Sequence, residues 1–133
     1  MIDIENEVFT RVAAALRDDF PNIAVESVTT YSPSRFPCVC IEETDNYPYT
    51  ITHDSGGSEN HVIVVYEVNI YSNKSTGKKQ ECKSILSVVD DVMSGMGFTR
   101  NAKTPINMDE ATKYRIFARY SAVVSKGKII YRR

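Results

Sequence analysis

The stretch His61-Val62-Ile63-Val64-Val65-Tyr66-Glu67-Val68-Asn69-Ile70-Tyr71-Ser72 decides the fold. Its β-branched and aromatic content is that of a strand. Side chains alternate along a strand, so Val62, Val64, Tyr66, Val68 and Ile70 share one face. The other face starts apolar at Ile63 and Val65 and then gives way to Glu67, Asn69 and Tyr71. This pattern predicts a strand covered on both sides at its beginning and on one side at its end.

The elements on either side set the layers. After residue 72 the period changes from two to three and four. Cys82, Ile85, Leu86, Val89, Val92, Met93 and Met96 form one helical stripe over Gly77 to Ser94, with Gly95 and Gly97 as the stop. Lys78, Lys79, Lys83, Asp90 and Asp91 fall on its wet side. Thr112 to Val124 alternates again, with Tyr114, Ile116, Ala118, Tyr120, Ala122 and Val124 on one face. A turn at Ser125-Lys126-Gly127-Lys128 leads into a last strand, Ile129-Ile130-Tyr131. Phe98-Thr99-Arg100 reads as a short strand, and Asn101 to Glu110 as a polar loop.

Upstream, Ile4, Val8, Val12 and Leu16 recur every four residues and predict an amphipathic helix. Asp3 suits its N-cap, and Glu5 and Glu7 favour its positive end. Phe20-Pro21-Asn22 ends it, because a residue before proline is pushed out of the helical region. Ile23 to Tyr31 and Phe36 to Glu43 read as strands around a Ser32-Pro33-Ser34 turn. Thr44 to Asn60 has few core positions and reads as a long mobile loop or an extended hairpin arm. Two one-sided helices and these strands bury every stripe most simply as an α+β two-layer sandwich. The sheet is mostly antiparallel, both helices pack on one face, and residues 1–133 form a single domain.

Composition excludes several classes. The 133 residues suffice for one domain, which hides roughly two-thirds of its unfolded surface. With 42% hydrophobic and 25% charged residues the chain is neither disordered nor fibrous. A net charge of −1 argues against a uniformly basic nucleic-acid binder. No apolar run reaches the roughly 18 residues of a membrane span. The acidic start Met1-Ile2-Asp3-Ile4-Glu5 is the reverse of a secretory signal, so an intracellular product is expected. Cys38, Cys40 and Cys82 are an odd set without metal-ligand spacing, and read as small core fillers.

Charge is divided along the chain. Residues 1–60 hold 11 acids against 3 bases, a net of −8; residues 61–133 hold 6 acids against 13 bases, a net of +7. The halves either interleave in the fold and cancel locally, or give the molecule an acidic and a basic edge. The second arrangement suits head-to-tail self-association, which closes into a ring when the rotation permits. Glu42, Glu43 and Asp45 are the acidic interface candidates, and Lys113, Arg115 and Arg119 the basic ones. Salt should weaken such an assembly. Tyr47, Tyr49, His53 and Asp54 are the docking candidates of the 44–60 segment.

Chemistry finds little support. His53-Asp54-Ser55 are sequence neighbours in a loop and cannot hold a catalytic triad. Gly56-Gly57 lacks the strand-to-helix setting of a phosphate cradle. The expectation is no enzyme, no cofactor and no metal. A different class, a small sheet-based nucleic-acid-binding module, rests on Phe117 lying among Lys113, Arg115 and Arg119. An exposed strand kept soluble by its charges explains the same residues.

Four segments carry a resemblance: Arg35-Phe36-Pro37-Cys38-Val39-Cys40-Ile41-Glu42-Glu43; Tyr66-Glu67-Val68-Asn69-Ile70-Tyr71-Ser72-Asn73; Asp91-Val92-Met93 leading to Gly97-Phe98-Thr99-Arg100; and Arg119-Tyr120-Ser121-Ala122 leading to Ile130-Tyr131-Arg132. With the first helix, they resemble the tail terminator (tail completion, minor tail) proteins of long-tailed bacteriophages and prophages. The resemblance implies a virion assembly protein forming a hexameric ring. Such a ring caps the tail tube, ends its polymerisation and presents a surface for head-tail joining. Its implied partners are further copies of itself, the tail tube protein and the head-tail connector protein. DNA can pass through the ring without specific binding, and no membrane is involved. The implied location is the host cytoplasm during assembly and then the virion tail. No catalytic residue is implied. A head-tail connector or stopper protein of the neck is the neighbouring alternative.

Overall fold

A computed structural model describes residues 1–30, 32–49 and 60–132. The elements are α1 (Glu5–Asp19), β1 (Ala24–Glu26), β2 (Cys38–Pro48), β3 (His61–Ser72), α2 (Lys78–Met96), β4 (Thr99–Ile106), β5 (Tyr114–Ser125) and β6 (Ile130–Arg132). The sheet order is β1-β2-β3-β5-β4, and β6 joins the same strand, β5, that β4 pairs. β3 is central and pairs with β5 over its whole length, from His61↔Ser125 to Ser72↔Tyr114. Every pairing is antiparallel except β1 with β2. The architecture is therefore the expected α+β sandwich, with both helices on one face.

Helix-side packing follows the sequence stripes. Val62, Val64, Tyr66, Val68 and Ile70 of β3 meet Val8, Val12 and Leu16 of α1 and Ile85, Val89 and Met93 of α2 in one buried cluster. Phe98 places its ring edge against Tyr66 at 5.4 Å. The α1 cap lies one residue further out than a standard N-cap: Asp3 Oδ1 accepts the Glu5 N–H at 3.0 Å. Gly97, at φ +107, closes α2, while Gly95 remains inside the helix rather than ending it.

The other sheet face differs from the expectation at one end. Tyr71 is fully buried and Asn69 is 3% exposed, although their end of β3 reads as one-sided. The described residues of the 27–37 connection cross that face. It closes a second small core of Ala24, Cys38, Cys40 and Tyr71, with Phe36 and Met108 packed on it. Tyr71 Oη donates to the Thr30 carbonyl at 2.7 Å, which ties the connection down. The strand expected over Ile23 to Tyr31 is thus only three residues long, because the chain leaves the sheet edge to cover this face.

Two other strands are longer than expected. β2 continues through Thr44 to Pro48 as the arm of a hairpin with β3, so over these residues the 44–60 segment takes the second of its two expected forms, the extended hairpin arm, and not the loop. Residues 50–59 lie outside the described residues. β4 extends to Ile106 where a polar loop was expected from Asn101. It is the last strand of the sheet order and mostly exposed, so it carries polar residues and tolerates Pro105. The three cysteines are free and buried, filling core as expected.

Candidate assembly surface

The division of charge is spatial. The first half of the chain supplies α1, β1 and β2, and the second supplies β3, β5, β4, β6 and α2. The sheet order places the boundary between β2 and β3, so strands from the two halves do not interleave. One side of the sheet is built from the acidic segment and the other from the basic one.

The acidic candidates divide between the two faces. The pairing shifts between Glu43 and Asp45, so that Glu43 faces Tyr66 and Asp45 faces Val65. This bulge at Thr44 turns Asp45 to the face shared by Glu42, while Glu43 points toward the helices. Glu42 Oε2 accepts from the Thr29 N–H and Oγ1 at 3.2 and 2.8 Å. Asp45 is exposed, and its Oδ1 accepts the Asn46 N–H.

Glu43 joins two acids the sequence reading assigned only to the start of α1. Oxygens of Asp3, Glu5 and Glu43 lie within 4.8 Å of one another. Glu5 Oε2 accepts the Glu43 N–H at 3.1 Å, and Glu43 Oε1 accepts from Tyr66 Oη at 3.1 Å. Burial raises the Glu43 carboxyl above the usual carboxylate range, and the Glu5 and Asp3 charges add to the rise. These carboxylates are the group among the described residues able to hold a cation. Their oxygens already accept from backbone and phenol donors, so the arrangement requires no ion. They line an open groove of about 620 Å³ with Asn6, Phe9, Ser27, Val28 and Glu42. Val28 is 66% exposed at its rim.

The basic candidates are engaged within the chain. Lys113 pairs with Glu110 at 3.2 Å and lies 5.4 Å from the Phe36 ring centre. Arg115 Nε and Nη2 donate to Asn69 Oδ1 at 3.0 and 2.8 Å, and its guanidinium covers the Tyr71 ring. Arg119 pairs with Glu67 at 3.0 Å over the Phe117 ring. These contacts hold the cations flat on the sheet. Tyr47 is partly exposed on the same face, opposite Ile63, and the Tyr49 N–H donates to the His61 carbonyl. His53 and Asp54 lie outside the described residues.

A row across the sheet reveals a cation the sequence reading overlooked. On the helix side, Glu43 faces Tyr66, Tyr66 faces Tyr120, and Tyr120 faces Arg100. Arg100 Nη1 pairs with Asp90 Oδ1 at 3.0 Å, and Tyr120 Oη donates to the same oxygen at 2.9 Å. Both phenols are buried and bonded to carboxylates, which pushes their pKa values upward and leaves them as fixed donors. In the next row Ile41 faces Val68, Val68 faces Ala118 and Ala118 faces Lys103. Lys103 is exposed and has no ion pair among the described residues. Acid therefore stands at the α1–β2 side and base at the β4 edge, on the same face and level.

Among the described residues no helix is long and apolar enough to cross a membrane. No protein-family model matches the chain. No curated protein matches it either. A chain of the virion of a native gene transfer agent particle is similar in fold, with a TM-score of 0.69 and 15% sequence identity. The match covers 92% of this chain and 94% of that one, so the whole domain, rather than a shared fragment, has the architecture of that virion chain.

Proposed function

We propose that the protein is a phage-type virion structural protein, acting without catalysis as a ring that caps the tail tube. The ring docks on the last tube ring, removes the surface the next would use, and presents the head-docking face. The observation that carries this reading is the end-to-end fold likeness to a chain of a gene transfer agent virion. The charge polarity across one sheet adds to it, because complementary acidic and basic sides suit a heterologous contact, which closes into a ring when the rotation permits. Partners on this reading are further copies of the chain, the tail tube protein and the head-tail connector protein. The 44–60 segment, with Tyr47, Tyr49, His53 and Asp54, is the part proposed to meet them.

A neck stopper would use the same fold and the same polarity. The two roles separate on removal of the gene from its phage or prophage. Loss of a terminator gives tails of uncontrolled, excess length. Loss of a stopper gives tails of normal length that fail to join filled heads. The nucleic-acid module is the weaker reading, because Lys113, Arg115 and Arg119 each have a partner within the chain. Electron microscopy of particles from the deletion strain is the deciding experiment, and normal joined tails would refute both virion roles.

A further inference from the structure

We propose that the β4 edge of one copy, carrying Arg100 and Lys103, seats in the α1–β2 groove of the next copy. This rests on the ring reading above and names its contact surface, which keeps Glu42 and Glu43 from the acids suggested by the sequence and replaces the basic candidates Lys113, Arg115 and Arg119 with Arg100 and Lys103. Three observations carry it. The first is position: Glu43 and Arg100 end the same row on the helix side, and Lys103 ends the adjacent one. A neighbour set side by side, helices on the same side, brings its cations to the level of these acids.

The second is charge. Asp3, Glu5 and Glu43 converge in the groove without a basic side chain among its lining residues. At the other edge, Lys103 is exposed and without an ion pair among the described residues, and Arg100 is 44% exposed despite its bond to Asp90. Opposite charges that remain exposed, with Lys103 and the groove acids lacking an ion pair among the described residues, steer and register an encounter. The third is shape and edge chemistry. The groove of about 620 Å³ has Phe9 and the exposed Val28 beside the acids, an apolar wall for the stems of a lysine and an arginine. β4 is an outer strand, and an outer strand that stays exposed invites another chain.

The test uses the full-length protein and its solution mass by analytical ultracentrifugation over a range of salt. Lys103→Glu is the primary variant, because this side chain is exposed and has no ion pair among the described residues. Asp3→Lys with Glu5→Lys is the reciprocal variant. Each alone is expected to weaken self-association by about tenfold or more, since like charges then face each other. An equimolar mixture of the two is expected to restore association between unlike copies. Circular dichroism and thermal melting establish that each variant is folded. Rings unaffected by either variant would overturn this contact and leave the ring reading standing. A wild-type chain that stays monomeric at every salt and concentration would overturn both. Association that needs an added divalent cation and ignores Lys103→Glu would assign the acids to an ion instead, and would overturn the proposal.

Discussion

Tyr66 and Glu43 face each other across the β2–β3 ladder, and the Tyr66 hydroxyl donates to Glu43 Oε1 at 3.1 Å. The bond holds a carboxylate where burial disfavours its charge. Because the folded-state value is raised, the folded protein binds more protons than the unfolded chain just above the usual carboxylate range. Stability contributed by this group is therefore present at low pH and is lost as pH rises through the raised value. Glu43→Gln keeps an acceptor for Tyr66 and removes the charge. Urea unfolding across pH 4–7 should show a more shallow loss, or a steeper gain, of stability with rising pH in the variant. Identical slopes would mean that Glu43 ionises without penalty.

Gly97 and Gly77 both have positive φ, at +107 and +83, but their surroundings differ. A Cβ at Gly97 would lie 3.1 Å from Ile130 Cγ2 and 3.4 Å from the Ile130 carbonyl oxygen, whereas one at Gly77 meets nothing within 4 Å. Gly77→Ala should cost the conformational term alone, about 1 kcal/mol. Gly97→Ala adds displacement of β6 and should cost about 2–3 kcal/mol. Chemical denaturation of the two variants checks the order, and equal losses would show that β6 yields freely.

How far the fold was legible follows from which residues carry period. β3 is apolar along one whole face and at the start of the other, and the stripes of α1 and α2 are complete, so the layers could be read directly. β4 could not, because Thr99–Ile106, an outer strand paired only with β5 among the described residues, has no buried face to impose alternation. The second core left a fainter signal: Cys38 and Cys40 share the phase of Tyr71, and Phe36 is nearby in sequence, yet only the path of the 27–37 connection unites them. The candidate site was legible as a charge division and illegible as a residue set. Asp3 and Glu5 read as helix-start acids, and nothing local links them to Glu43. A bulge at Thr44, invisible in sequence, then separates Glu43 from Asp45.

The buried thiols predict slow modification. Cys82 lies in the main core, where burial pushes its thiol up to about 12, and Sγ donates to the Ile70 and Tyr114 carbonyls. Cys38 is held protonated by its hydrogen bond to Cys40 and by burial, while the same bond pulls Cys40 downward. An aromatic disulfide reagent should therefore label none of the three quickly in the folded protein and all three in urea. When labelling is driven by partial opening, Cys40 should react before Cys82. Fast native labelling at Cys40 would show that the 27–37 connection lifts readily.

Arg115 and Arg119 look equivalent in sequence, and their contacts make them unequal. Arg119 pairs with Glu67 at side-chain exposures of 47% and 28%, so solvent screens the pair. Arg119→Glu should cost about 1 kcal/mol or less, including the new repulsion with Glu67. Arg115 satisfies the amide oxygen of Asn69, which is 3% exposed, and covers the buried Tyr71 ring. Arg115→Glu leaves that buried oxygen facing a carboxylate and should cost about 2–3 kcal/mol. The pair therefore separates folding from assembly on the open sheet face. If Arg119→Glu is as stable as expected and still forms rings like the wild type, this part of the open face is not an interface between copies. If it blocks rings while the monomer melts normally, the Arg119 side of that face takes part in closure.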